Sequence, residues 1–330
     1  MKKFLRLLPL AASALVAVAA LVPMKSAFAL DKLTVAHSIW VGYGPLYIAR
    51  DKGYFKDEGL DVDFKIMDDT KLRMGALLAG QIDAAATSVD VPLPFMTPTH
   101  QIQYLFAIDD SRGGDGIVAD KSITDVAGLK GKKVGFLQGS PSELLLAVAL
   151  KKAGLGLKDV DAIHMTAGDA GAAFLSGKID AAVTWEPWLS RGKAAANGHL
   201  LIDSTATPGL ITDVLVATKK ESAAKKKDFQ AFYRAWVKAV EFAKAHPEEA
   251  NEIMAKGVGG WLKDPKAFAA ALSGVSLYGA AENKIYIGTA AAPGSITAII
   301  QEAASLWAEE GNMRMKVDPA KTIDYSITNP

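Results

Sequence analysis

Residues 175–184 read Leu-Ser-Gly-Lys-Ile-Asp-Ala-Ala-Val-Thr, and residues 78–87 read Leu-Ala-Gly-Gln-Ile-Asp-Ala-Ala-Ala-Thr, seven of ten positions being identical. Each copy follows a small, alanine-rich run with helical spacing, residues 73–79 and 169–175. The glycine of each copy, Gly80 or Gly177, suits the position just past a helix C-terminus, where a positive φ is cheap. A short apolar strand then begins at the isoleucine. Beyond it come an acid and a proline, Asp90-Val91-Pro92 in the first copy and Glu186-Pro187 in the second. Proline in a first helical turn behind an acidic cap is a helix-start signal. Each copy therefore reads helix, strand, helix start, with an acid at the strand's C-terminal edge. Open α/β sheets bind ligands beyond their strand C-termini, so two such halves predict two lobes facing one cleft.

The chain begins with a positive start (Lys2, Lys3, Arg6), an apolar run from Leu7 to Val22 and the small-x-small triplet Ala27-Phe28-Ala29. That pattern predicts a secretory signal peptide over residues 1–29. The full chain has 330 residues, 37 basic and 36 acidic. Loss of Lys2, Lys3, Arg6 and Lys25 with the signal turns the balance slightly acidic, and no Lys/Arg cluster of a nucleic-acid footprint is present. There is no cysteine. An exported chain of this kind draws its stability from its core and not from disulfides, and it has no thiol for catalysis or metal binding.

Taken in order, residues 33–39 and 61–67 alternate as strands. Between them, Pro45 opens a helix that breaks at Gly53. Residues 102–108 form the next strand, and the brief apolar stretch Ile117-Val118-Ala119 is the expected crossing between lobes. In the second half, Lys133–Phe136 reads as a strand, and Pro141–Lys152 is the best-specified helix, with Ser140 and Glu143 at capping-box spacing. The stretch 203–213, which contains Thr207-Pro208-Gly209, reads as the return crossing. From Lys219 the pattern is helical. Phe229, Phe232, Trp236, Val240 and Ala243 form one stripe of a long core-facing helix, and residues 317–327 form a polar tail expected to dock on the first lobe.

From Trp40 to Leu60 the chain reads Trp-x-Gly-Tyr-Gly-Pro-Leu-Tyr-x-Ala-x-x-Lys-Gly-Tyr-Phe-x-x-x-Gly-Leu. This resembles the nitrate/taurine/sulfonate-type solute-binding proteins of ABC importers. The likeness continues through Gly113-Gly114-Asp115-Gly116-Ile117, residues 125–134, Ala-Val-Thr-Trp-Glu-Pro-Trp-Leu at 182–189 and Pro-Gly-Leu-Ile-Thr-Asp at 208–213. The resemblance implies an α/β fold like that of periplasmic binding proteins of type II. It would have two lobes, a central cleft, two crossover segments and C-terminal helices on the first lobe. The expected division is 30–118 plus 205–330 for the first lobe and 119–204 for the second. The family implies a monomer in the periplasm that hands its ligand to a permease with a cytoplasmic ATPase. It implies neither a cofactor nor membrane insertion after the signal is removed.

In that family the segments matching 40–45, 88–90, 138–142 and 185–186 line the pocket. The expected ligand-binding set is Trp40, Tyr43, Gly44, Asp90, Asp115, Ser140, Trp185, Glu186 and Asp213. Several have a structural alternative: Glu186 and Asp90 as helix caps, Asp115 as a turn residue bonding its own backbone, Trp188 as core. Asp109 and Asp110 are adjacent, so on a strand at most one faces the cleft. Helix starts at Pro45, Pro141 and Pro187 favour an anionic group. The acids Asp90, Asp115 and Glu186, with no cation in those segments but Arg112, favour a cation, and aromatics add cation–π attraction. The expectation is a cationic or zwitterionic, amine- or guanidinium-like ligand held by hinge closure; the alternative is an anion such as an alkanesulfonate, taurine or nitrate.

Two rival classes remain. An enzyme is disfavoured because His37, His100, His164, His199 and His246 are scattered without metal-ligand spacing and no Gly-x-Ser-x-Gly elbow is present. The thiamine-pyrimidine synthases that share the fold carry a cysteine-rich signature, and this chain has no cysteine. A ligand-sensing subunit for a signalling receptor is the other rival.

Overall fold

The computed structural model describes residues 29–329. The predicted signal peptide lies almost wholly outside the described residues. The strands are β1 (Asp31–His37), β2 (Leu60–Ile66), β3 (Ala84–Ser88), β4 (Ile102–Ser111), β5 (Asp115–Asp120), β6 (Lys133–Phe136), β7 (Asp161–His164), β8 (Ala181–Trp185), β9 (Gly198–Asp203), β10 (Thr212–Thr218) and β11 (Val275–Leu277). They form two sheets, one of order β11-β4-β10-β3-β1-β2 and one of order β7-β6-β8-β5-β9. Helices α1 (Gly44–Asp51), α2 (Tyr54–Asp57) and α3 (Thr70–Leu78) serve the first sheet; α4 (Pro141–Lys152), α5 (Ala167–Leu175) and α6 (Trp188–Ala194) serve the second. The C-terminal helices are α7 (Lys219–Ala224), α8 (Lys226–Ala245), α9 (Pro247–Val258), α10 (Pro265–Leu272), α11 (Ala280–Tyr286) and α12 (Ile296–Glu309).

The repeated decapeptide occupies equivalent places in the two sheets. Strand β3 lies between a parallel neighbour, β1, and an antiparallel one, β10. Strand β8 lies likewise between β6 and β5. The repeated aspartate has the same task in both. Asp83 accepts the Thr34 backbone N–H at 2.7 Å, and Asp180 accepts that of Lys133 at 2.8 Å. Each carboxylate thus pins its strand to the parallel neighbour at the end where the two begin. Gly80 and Gly177 each have φ of 68°, the left-handed turn that ends the preceding helix.

The chain changes sheet between β4 and β5, at Arg112-Gly113-Gly114, and again between β9 and β10. The first change falls earlier than the sequence pattern placed it. Ile117, Val118 and Ala119 are fully buried and paired on both sides, with β8 and β9, so residues 115–118 belong to the second sheet. The helix stripe of α8 packs Phe229, Phe232 and Trp236 into the first core. The tail docks through Ile323, which bridges Tyr104 of β4, and Ile327, which is buried. Strand β11 and helix α11 were not anticipated. Val275–Leu277 is three residues long and pairs at the sheet edge, too short for an alternation to register.

Candidate functional site

The lobes are shut on one another. Leu144 and Val148 of α4 join the apolar cluster of the first sheet. Outside the cleft, Lys151 of α4 meets Glu309 of α12 at 2.6 Å, and Lys71 donates to Gln138 at 3.0 Å. Between the lobes lies a small cavity of about 30 Å³, counted as the space open to the centre of a water-sized sphere. The first sheet supplies Trp40, Tyr43, Arg73, Thr87, Ser88 and Asp213; the second supplies Asp115, Ser140, Pro141 and Trp185.

Two glycines permit this closeness. A Cβ on Gly42 would overlap the Asp109 carboxylate, and one on Gly114 would stand 2.8 Å from the Trp40 ring. Trp40 donates its indole N–H to both oxygens of Asp109 at 3.2 Å. Its ring meets Trp185 of the opposite lobe edge-on, centroids 6.5 Å apart. The Gly-rich turns at 42 and 113–114 thus let aromatic rings from both lobes meet over the site.

Of the nine residues expected from sequence, Trp40, Tyr43, Asp115, Ser140, Trp185 and Asp213 line the cavity. Gly44, Asp90 and Glu186 are not among the lining residues. Gly44 is packed against Met254, which a Cβ would strike. Asp90 is fully buried within the first lobe, where Ser88 donates to it at 2.5 Å and Trp307 of α12 donates to its backbone carbonyl. Glu186 turns back and accepts from the Ser190 hydroxyl at 2.7 Å and the Ser190 N–H at 3.2 Å, capping α6. Trp188 packs on Gly171 and, edge to face, on Trp261 from the C-terminal region, centroids 6.0 Å apart. Asp110 is tied to Arg112 at 2.9 Å.

The sequence reading missed Arg73. It lies on the buried stripe of α3 with Thr70, Ala76 and Leu77. Its guanidinium donates to the Met67 carbonyl and, at 3.4 Å, to Thr87, while Nε is buried without an acceptor. The indole N–H of Trp185 is buried and unpaired as well. A buried polar group without a partner is costly, so two such donors beside one cavity call for acceptor oxygens. An arginine on the apolar stripe of a short helix was the available signal.

Burial governs the acids. Asp115 and Asp213 are both pushed up to about 7, chiefly by loss of solvent; a bond from Tyr43 and the charge of Arg73 oppose the shift at Asp213. Asp109 is raised well above the usual carboxylate range by burial and by the neighbouring Asp213, against the pull of the Trp40 N–H. Asp90 is pushed up to about 6 by burial. No helix among the described residues is long and apolar enough to cross a membrane, and they hold no cluster of metal-ligating side chains.

Two α/β sheets joined by two crossings close over a cavity lined by polar and apolar side chains. The chain belongs to the NMT1/THI5-like family, whose pattern matches residues 40–250. A Brucella abortus protein named only for binding is 30% identical over 228 residues, 67% of this chain and 68% of its own. In fold it is similar to the periplasmic aliphatic sulphonate binding protein SsuA of Escherichia coli, with TM-score 0.73 and 21% identity, covering 91% of this chain and 99% of that one. The periplasmic nitrate-binding protein NrtA of Synechocystis PCC 6803 gives TM-score 0.70 at 17% identity, covering 90% of this chain and 87% of its own. The resemblance read from Trp40 to Leu60 and from the later motifs therefore holds for family and fold.

Proposed function

We propose that the chain is the periplasmic solute-binding subunit of an ABC importer, and that its cleft holds a small ligand by an oxyanion group. The observation that carries the ligand class is Arg73, a buried cation at the cavity with one donor left unpaired beside the unpaired Trp185 N–H. The N-terminus of α4, where Ser140 and Pro141 line the cavity, adds backbone donors facing the same space. Relatives named for sulfonate and nitrate support the same sign of charge. The cationic expectation rested on the acids Asp90, Asp115 and Glu186, in segments with no cation but Arg112, and on the aromatics; of those acids only Asp115 lines the cavity, and Arg73 adds a cation there.

Capture proceeds by closure. The first lobe carries Arg73, Tyr43 and Asp213, and the second brings Trp185, Ser140 and Asp115 over the ligand. Contacts made only when both lobes touch the ligand are what favour the shut form. The shut form is what a permease with its ATPase would recognise. SsuA and NrtA are named for binding, which supports a carrier over an enzyme.

Asp115 and Asp213, both at the cavity, favour a second reading, a ligand that also donates hydrogen bonds, as a zwitterion does. Titration calorimetry at pH 6.5 with ethanesulfonate, taurine, nitrate, ethylammonium and guanidinium decides between them. Binding of the sulfonates in the micromolar range or tighter, with neither cation bound, is the expected outcome. Tight guanidinium or ethylammonium binding with no oxyanion bound would overturn the oxyanion reading.

A further inference from the structure

Asp213 of β10 and Asp109 of β4 are register partners on adjacent antiparallel strands. Directly opposed residues place their side chains on one face, roughly 5 Å apart at Cβ. Both carboxyls are almost wholly buried, 1% exposed for Asp109 and 7% for Asp213. Two ionised carboxylates this close in a dry site cannot both keep their charge without cations to offset them.

The surrounding charges do not supply enough. Asp110, next along β4, already has Arg112 at 2.9 Å. Arg73 of α3 is the cation felt by Asp213. Among the described residues the neutral Trp40 indole is the one donor to the Asp109 carboxyl, and Tyr43 bonds to Asp213. From the other directions come more acids: Asp115 of β5 and Asp90 beyond β3. A cleft with several acids about one arginine has no room for a further anion unless protons come with it.

We propose that Asp109 and Asp213 form a proton-sharing pair, holding one proton between them, and that capture of an oxyanion draws a further proton into the cleft. The second half rests on the oxyanion reading; the first does not. The partners that define the pair, Trp40, Tyr43 and Arg73, all come from the first lobe, so the pair persists when the lobes part. The consequence is a carrier that loads its anion more tightly in acid surroundings. Acids with raised folded-state values bind the proton that an anion needs, so affinity falls as pH rises past neutrality, about tenfold per pH unit for one proton carried.

The test has two arms. Carbon NMR of the side-chain carboxyls follows the ligand-free chain from pH 4 to 9, beside Asp109→Asn and Asp213→Asn. Besides Asp115, which titrates near 7 in all three proteins, one carboxyl titrating near or above neutrality is expected, lost in one variant and moved down by a unit or more in the other. Both aspartates titrating below pH 5, or Asp109 unmoved by Asp213→Asn, would overturn the pair. Wild-type spectra alone decide the first of these if a variant fails to fold. In the second arm, calorimetry with ethanesulfonate at pH 7.5 in two buffers of different ionisation heat counts protons. Uptake approaching one proton per ligand is expected, and ethanesulfonate binding without proton uptake would overturn the coupling. If guanidinium binds in place of ethanesulfonate, with proton release, the oxyanion reading and the coupling both fail, while NMR still judges the pair.

Discussion

The two copies of the decapeptide begin alike and end differently. Strands β3 and β8 have five residues each, all buried, with the same pattern of neighbours and the same aspartate pin at their start. At their far ends they part. The acid after β3, Asp90, is sealed beneath Trp307 of α12, a helix with no counterpart in the second lobe. The acid after β8, Glu186, folds back onto α6, and Trp185 takes the cleft-facing place beside Trp40. The repeat fixes a frame, and what packs over the strand end decides which side chain reaches the ligand. The first lobe's contribution comes instead from α3 and β10, as Arg73 and Asp213.

That contrast can be broken most sharply at Arg73. If the first lobe anchors the ligand through its guanidinium, Arg73→Met lowers ethanesulfonate affinity by about a hundredfold or more, as expected from two charge-assisted hydrogen bonds at roughly 1.5–3 kcal/mol each. A change below threefold in calorimetry would sink the assignment. The pins come next. Asp83→Ala and Asp180→Ala each orphan a backbone N–H, at about 1–3 kcal/mol in urea unfolding. Asp83 also holds Lys225 at 2.7 Å, so its loss is the somewhat larger. Equivalence of the copies fails if one variant is neutral.

The sealed acid has a pH signature. Asp90 is raised by burial to about 6, so its ionisation destabilises the fold. Its favourable contribution is full below the unfolded value near 4 and is lost as pH rises through about 6. Asp90→Asn is therefore expected to raise stability at pH 8, on the order of 1–3 kcal/mol, and to change little at pH 4. Thermal melts showing the gain at pH 4 instead would contradict it. Smallest is the helix cap: Glu186→Ala is expected to cost about 0.5–2 kcal/mol and leave ethanesulfonate affinity within threefold. A large loss of affinity would return Glu186 to the binding set.

Much of the frame was legible because its signals are local. Ser140 and Pro141 start α4 where read, although Glu143 reaches Gly139 and not the Ser140 N–H. The aromatic stripe of α8 and the repeat strands follow from periodicity alone. The cleft was half legible. Trp40, Tyr43 and Trp185 stand in motifs whose glycines mark close approach. Arg73 had one faint signal, its place on the buried stripe of the short helix α3, and no flanking motif marked it as part of the cleft. The Asp109–Asp213 pairing joins strands over a hundred residues apart, and no local pattern encodes such a register. The fate of Asp90 was hidden for the same reason, since Trp307, 217 residues on, seals it; that of Glu186 was local, its partner Ser190 lying four residues along.

The most direct test is a crystal structure of the protein with ethanesulfonate, or with any small molecule found to co-purify with it. The ligand is expected between the lobes, an oxyanion oxygen about 3 Å from the Arg73 guanidinium, and the Trp185 N–H within reach of the same group. A ligand bound elsewhere, or one that offers N–H groups to Asp109 and Asp213 while Arg73 stays untouched, would contradict it.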